Sequence, residues 1–536
     1  MKNTLGWLAL GVALSACGGG GGGSSGSGGS QPPVAAAPEV KLLSGAVTRY
    51  AAQNTSIAFD VQIKPSFTPV GSFIVNASDK AGVIQSQVVV ITNADGSYLL
   101  SLGTAANAAP GHYTGDISLK LCADASCTTA QAVPSVTVPY DITVVAPGSA
   151  WQGDRLTALS PWTGVSDWST FQGNAAHTGY VPVEIKPDQI GPRWKSAAIS
   201  QPPASYGYNN FNTLSAANGV FYAAGSNVLK ARKESDGSLV WSYDVSGLTY
   251  PSVNPPAVDN GIVYMAAGQQ SSTFLFGFDA ASGAVRFKAP MSSQWENYLA
   301  PVAVGDAVYT NAGTYGGLYA FTPTGEQMFF SGTAQTSLWS PAVDANAVYV
   351  YDGTLRIFDR KTGTVINQIK DANFQNYTYL GDGSVVLGAA GNAFVANYAN
   401  AYLNGGTMGN ELLKFNTEKG YIDWRIAGNY PLTPAYANGV LFVPNTKPFR
   451  IEARAESDGA LLWSWVPGQA SETAWKGEPV VTKNLLFVST NAATYAIDLN
   501  THKPVWSYPF AGRLALTRSG ILYIQNDEAL VALNLK

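Results

Sequence analysis

The sequence predicts an all-β protein: an eight-bladed β-propeller preceded by a smaller β-sandwich. Three observations predict it. A phrase of apolar residues ending in Tyr or Phe, a short strand, a Gly turn and an aromatic recurs down the last two-thirds of the chain. Its anchors, at Tyr222, Tyr264, Tyr309, Tyr349, Val386, Phe442, Phe487 and Tyr523, are 42, 45, 40, 37, 56, 45 and 36 residues apart. That is the period of a four-stranded blade and not of a helical solenoid. Gly and Pro are plentiful, and no sustained helical periodicity appears after the first 20 residues.

The chain has 536 residues, which leaves room for one large ring and accessory parts. Charged residues make up 12% and the net charge is −4, so no electrostatic footprint for nucleic acid exists.

Residues 1–17 read as a signal peptide. Lys2 supplies the positive start, Leu5 to Leu14 an apolar run too short to span a bilayer, and Leu14-Ser15-Ala16-Cys17 a cleavage region. The four residues resemble a bacterial lipobox, in which Cys17 is lipidated. Gly18 at the next place implies outer-membrane sorting, facing the periplasm, with the cell surface as the alternative. Residues 18–38, rich in Gly and Ser and then in Pro and Ala, read as a tether with a reach of roughly 25 Å. Lipid would hold the body at the membrane without a transmembrane helix.

Residues 39–147 alternate apolar and polar positions. Ser56–Ile63, Gln87–Ile91, His112–Leu121 and Val136–Val145 read as strands, punctuated by Asp95-Gly96 and Pro110-Gly111. About seven strands predict an immunoglobulin-like sandwich serving as a spacer, although the Cys…Trp…Cys signature is missing. Cys122 and Cys127 have four residues between them and are expected to form a disulfide at a hairpin end; no metal site is expected there.

Residues 148–536 read as the ring. An aromatic stands four residues after the turn Gly at Trp241, Phe287, Phe329, Trp424 and Trp463. Trp506 keeps the register with His502 at the Gly place, and Asn367 after Gly363 departs from it. A large flat ring at a blade edge buries much area against the next blade, so these positions read as docking residues and not as ligand-stacking groups. Pro256, Pro301, Pro341, Pro434 and Pro479 each stand eight residues before an anchor. Proline tolerates a strand start, so the anchors are expected on the innermost strands. The last repeat lacks an outer strand and a docking aromatic, and Arg193-Trp194-Lys195 can supply both, closing the ring. The wide gap after Val386 is assigned to an insertion at residues 389–410.

The segment Trp168-Ser169-Thr170-Phe171-Gln172-Gly173-Asn174-Ala175-Ala176-His177-Thr178-Gly179-Tyr180 resembles the start of the PQQ-like (quinoprotein-type) β-propeller family. The resemblance runs on to Lys536, about 370 residues. It implies either a quinoprotein dehydrogenase or a non-catalytic scaffold like the outer-membrane assembly lipoproteins. The dehydrogenases carry a vicinal Cys pair and calcium ligands; this chain has no adjacent cysteines and no haem-attachment motif. Only His112, His177 and His502 are present, far apart, which speaks against a His-based metal site or a Ser-His-Asp relay. No cofactor and no catalysis are therefore expected.

What is left is binding. Segments between blades carry Tyr208, Tyr250, Trp295, Tyr298, Trp339, Tyr377, Tyr430 and Trp475 beside amides and carboxylates. Such groups suit peptide edges or sugar rings, or else pack the loops onto the blades. The expected function is a lipid-anchored envelope scaffold with a protein partner; the alternative is a lipoprotein capturing a glycan, peptide or small ligand in an aromatic funnel.

Overall fold

The computed structural model describes residues 39–67, 74–122, 135–199, 213–225, 227–249, 253–268, 270–293, 300–312, 316–334, 339–374, 380–382, 384–399 and 410–536. It divides into two compact units, one ending at Val144 and one beginning at Val145. Cys17 and Cys127 lie outside the described residues, as does the tether. Among the described residues no helix is long and apolar enough to cross a membrane.

The first unit is a two-sheet sandwich of eight strands among the described residues. These are β1 (Val40–Leu42), β2 (Val47–Ala52), β3 (Ala58–Pro65), β4 (Ile74–Ser78), β5 (Val89–Thr92), β6 (Tyr98–Gly103), β7 (Gly111–Cys122) and β8 (Val136–Val145). One sheet runs β1-β3-β6-β5, the other β2-β8-β7-β4. Alternation puts Phe59, Val61 and Ile63 from one sheet and Ile117, Leu119, Val138, Tyr140 and Ile142 from the other into a single core. Cys122 ends β7 with its side chain buried.

In the second unit the described residues form eight four-stranded antiparallel sheets, the blades of a propeller. Blades 1 to 8 span residues 214–244, 257–291, 302–332, 342–370, 386–428, 435–465, 475–508 and 513–534. Within blades 1 to 7, strands A to D run outward in chain order, and A strands of most neighbouring blades meet round the ring, the first against the eighth included. The outermost strand of blade 8 is Gly191–Ala197, paired through Ala532 with Trp194. The last blade is thus completed by residues from before the first, which removes a free edge from a chain that would otherwise end in one.

Every blade carries a β-bulge in strand D at the residue before the docking position: Val240, Arg286, Met328, Ile366, Asp423, Leu462, Val505 and Arg193. The extra residue tilts the following side chain toward the neighbouring blade.

Three expectations need correction. The anchors lie on the second strands: Tyr264 is in Ile262–Ala267 and Tyr309 in Ala307–Asn311. Most of the prolines stand just before strand A, so eight residues span strand A and a tight turn before reaching strand B. In blade 5 the anchor is Phe394, in Asn392–Ala396, since Val386 belongs to strand A. With Phe394 the irregular spacings of 37 and 56 become 45 and 48. The proposed insertion therefore contains a blade strand, and the extra chain falls between strands B and C.

Candidate functional site

One contact type joins the blades. At five junctions the turn before strand D offers a backbone carbonyl three residues ahead of its Gly, and the preceding blade donates to it. Trp194 Nε1 donates to Glu234 O at 3.0 Å, Trp241 Nε1 to Ala280 O at 2.9 Å and Trp424 Nε1 to Glu456 O at 3.1 Å. The indole then lies over the turn, where glycine leaves room: a Cβ on Gly283 would stand 2.6 Å from the Trp241 ring. Trp463 instead stacks on His502, centroids 4.5 Å apart. Trp506 is fully buried, stacked with Tyr508. Phe329 has no donor, and Tyr309 Oη supplies one to Arg360 O at 2.7 Å. At the departing position, Asn367 Nδ2 donates to Thr417 O at 3.3 Å, the same carbonyl place.

The axis of the ring is occupied at one end. From Trp162 to Val183 the chain touches the blades in order, eighth first. Trp162 N–H bonds Arg518 O, Trp168 O accepts from Ala216, Ser169 O from Val258, and Thr170 Oγ1 donates to Pro301 O. Ala175 O then accepts from Val343, Ala176 O from Leu387, Thr178 O from Tyr436 and Gly179 O from Val481. These partners sit mostly where strands A run into their turns, so the segment closes the turn end of the axis. His177 is wholly buried within it, and because Val385 O can only accept, His177 Nδ1 donates at 2.9 Å. Its Nε2 lone pair has no hydrogen-bond partner. Burial lowers the imidazole to about 4, the bond to Val385 only partly opposing it.

The opposite end is built from the loops that connect strand D of one blade to strand A of the next. Of the residues expected to bind there, Tyr208, Tyr250, Trp295, Tyr298 and Tyr377 lie outside the described residues. So do Phe211, Asn209, Asn210, Glu296, Asn297, Gln375 and Asn376. The remaining three are buried. Trp339 packs in the core between blades 3 and 4 with Tyr309 and Val348. Trp475 stacks on Phe449 at 4.5 Å and donates to Asn445 O at 2.9 Å. Tyr430 reaches Glu452 at 3.3 Å, and burial followed by that carboxylate raises its hydroxyl to about 12. These rings spend their faces on packing, which alternation of residue type in a loop does not reveal.

Charged groups near this end are paired. Arg513 Nη1 contacts both oxygens of Glu478 at 2.9 Å, and Asn254 donates to Ala266 O at 3.1 Å. Glu472 accepts from Thr490 Oγ1 at 2.5 Å and from Tyr495 Oη at 2.9 Å, and burial first, then Glu472, raises the Tyr495 hydroxyl strongly. Burial alone would raise Glu452, but Arg450, Arg454 and Asn445 outweigh it and hold the carboxyl low. Asp371 is fully buried against Arg425 at 2.9 Å and Tyr351 at 3.0 Å, with Glu411 on the other side of Arg425 at 2.6 Å. Sequence reading missed this last group because Asp371 lies 20 residues from Tyr351 and 54 from Arg425. Among the described residues no three His, Cys, Asp or Glu side chains gather into a metal site.

A ring of eight four-stranded blades, closed at one end by residues 162–183, is a β-propeller. Residues 275–427 match the family model described as PQQ_2, outer membrane protein assembly factor BamB. The chain is 24% identical over 463 residues to a tetrathionate hydrolase of Acidithiobacillus ferrooxidans, covering 75% of this chain and 84% of that protein. It is also 30% identical over 167 residues to the serine/threonine-protein kinase AfsK of Streptomyces griseus, 31% of this chain and 17% of that one. The hydrolase overturns the expectation of a chain without catalysis. That expectation rested on missing quinoprotein ligands, and the lack of one chemistry does not exclude another on the same fold.

Proposed function

We propose that the chain is a hydrolytic propeller that works on a small sulfur oxoanion at the loop end of its axis. The observation that carries the reading is the likeness to a tetrathionate hydrolase over 84% of that protein's length. The threaded turn end supports it, because a ring closed on one side leaves the other as the place for a ligand. The test is direct: purified protein is incubated with tetrathionate and the anion followed by ion chromatography. Consumption above a heat-denatured control is expected. Unchanged tetrathionate from roughly pH 2 to 8, a range that spans the ordinary carboxylate and imidazole values, with no binding by calorimetry, sinks the reading.

A second reading is a scaffold that holds a protein partner in the envelope, favoured by the match of residues 275–427 to an assembly-factor model. Pull-down from solubilised envelope tests it: barrel-assembly components on the beads support it. In either reading Cys17 carries lipid and residues 18–38 tether the body at the outer membrane, facing the periplasm. Metabolic labelling with a fatty acid, lost in Cys17→Ala, checks this. The sandwich then serves as an immunoglobulin-like spacer, a reading that its strand order supports. Cys122 and Cys127 form its disulfide, which thiol counting before and after reduction tests.

A further inference from the structure

The face that blade 1 turns toward blade 8 and the face that blade 6 turns toward blade 5 are built on one register. Phe221, packed on Trp194 and Tyr523, marks the first face, and Leu441, packed with Phe394, the second. Opposite them on strand C stand Arg232 and Arg454. Each arginine turns back onto its own turn glycine: Arg232 Nη1 donates to Gly237 O and Arg454 Nη1 to Gly459 O, both at 2.8 Å. Two residues earlier on the same faces come Lys230 and Glu452, paired with Ser242 and Ser464 of the outer strands. In blade 6 the carboxylate sits among donors. Glu452 is fully buried and accepts from Arg454 Nε and Arg450 Nε at 2.7 Å and from Asn445 Nδ2 at 3.1 Å.

In blade 1 that place holds a second cation. Arg232 Nε, the counterpart of the atom that Glu452 meets in blade 6, is buried and has no hydrogen-bond partner among the described residues. Lys230 Nζ donates to Ile199 O at 2.8 Å. Burial first, and then the charge of Arg232, lower the Lys230 ammonium, and no carboxylate acts against them. The acids close by are engaged elsewhere. Glu234 accepts from Ser519 Oγ at 2.5 Å and Tyr523 Oη at 3.4 Å, as its counterpart Glu456 accepts from Asn392 and Tyr436. Asp244 accepts from Asn227 and from the Ser246 N–H. The residue facing the arginine from the neighbouring blade is also smaller. Ile426, two residues after Trp424, would stand 3.0 Å from a Cβ on Gly459; two residues after Trp194 the chain has Ser196.

We propose that the junction of blades 8 and 1 binds a small tetrahedral oxoanion of the sulfate class between Arg232, Lys230 and Ser196, in the place that Glu452 fills in blade 6. Its oxygens accept from Arg232 Nε and from Lys230 Nζ, which has three donors and gives one to Ile199. Such charge-assisted bonds are the strong ones, the more so where the guanidinium N–H is shielded from water. Gly191–Ala197 is the strand that closes the ring, so the ion would fasten the closure. The site lies on the third strand and away from the axis, and it stands whether or not the loop end turns over a substrate.

The probe is sodium sulfate, titrated into the full chain in scanning calorimetry against sodium chloride at matched ionic strength. Wild-type protein should gain about 1–2 °C in Tm from sulfate beyond chloride, saturating as one site does. Lys230→Glu supplies from within what the ion supplies, so it should gain nothing from sulfate and melt no lower than wild type without it. Lys230→Met, which removes the charge alone, should also lose the gain. Equal gains in sulfate and chloride overturn the proposal, as does a sulfate gain that either variant keeps. Tetrathionate consumption by Lys230→Met should equal that of wild type, so failure at this junction and failure of the hydrolytic reading are told apart.

Discussion

The junction between blades 1 and 2 and the junction between blades 4 and 5 solve one problem with different chemistry. At the first, Trp241 lies over Gly283 and donates to Ala280 O, within an apolar core of Tyr222, Val263 and Phe278. At the second, Asn367 makes the equivalent bond to Thr417 O, and a Cβ on Gly420 would clear its amide at 3.4 Å. The area lost with the indole is accompanied by a buried polar group of Asp371, Arg425, Glu411, Tyr351 and Asn397. The part of the docking contact that these two junctions share is therefore the hydrogen bond to the turn carbonyl. Aromatic burial is one of two ways to close the space around it.

The largest effect expected is at the second junction. Asp371→Ala removes a fully buried partner of Arg425 and Tyr351, and should cost about 3–5 kcal/mol in urea unfolding. A cost below about 1 kcal/mol would break the comparison, since the network would then not be holding the junction.

Next comes a pH effect at blade 5, through His177 on Val385. Its folded value, about 4, lies below the 6.5 of a free imidazole, so the unfolded chain takes up its proton first as pH falls. The contribution is whole above pH 6.5 and gone near pH 4, a swing of about 3 kcal/mol. His177→Gln should remove that part of the slope from a plot of unfolding free energy against pH. A parallel curve for the variant sinks the assignment.

The two glycines sharpen the contrast. Both have positive φ, +74° at Gly283 and +78° at Gly420, so each alanine pays about 1–2 kcal/mol for backbone. Gly283→Ala also collides with Trp241 and should lose a further 1–3 kcal/mol, roughly, while Gly420→Ala should not. Equal losses in thermal or urea melts would show that the indole yields freely. Smallest are Trp241→Phe, which leaves Ala280 O with Tyr222 Oη at 3.3 Å, and Asn367→Ala, which removes the side-chain donor to Thr417 O, each for about 1 kcal/mol. Only if the two match is the hydrogen bond the shared element.

Much of the ring was legible in the sequence because blade construction is local. The Gly turn, the bulge and the docking residue lie within five residues of one another, and Trp194 could be matched to the blade that lacks an aromatic. The anchor strand was misplaced because a Pro eight residues upstream fits two paths: one long strand, or a strand, a turn and a second strand. Asn392–Ala396 was absorbed into an insertion for a related reason. Val386-Leu387 has the apolar look of an anchor, whereas its true counterpart, Phe394, follows a Gly-rich stretch. At the loop end, Trp339, Tyr430 and Trp475 could be read as binding residues or as packing because aromatic-plus-amide composition describes a binding rim and a buried contact equally well.

By itself the sequence determined that this is an all-β chain, that the repeat unit is a four-stranded blade, and that eight of them close through Trp194. Those are properties of spacing and alternation, written within tens of residues. Only the tertiary structure decided that residues 162–183 thread the axis, that His177 lies buried against Val385, and that Asp371, Glu411 and Arg425 meet. It also decided that two outer strands sharing Trp-Ser differ, Pro504–Tyr508 covered and Leu461–Trp465 open. Burial belongs to contacts between segments far apart in the chain, and neighbouring residues carry no record of what will lie against them.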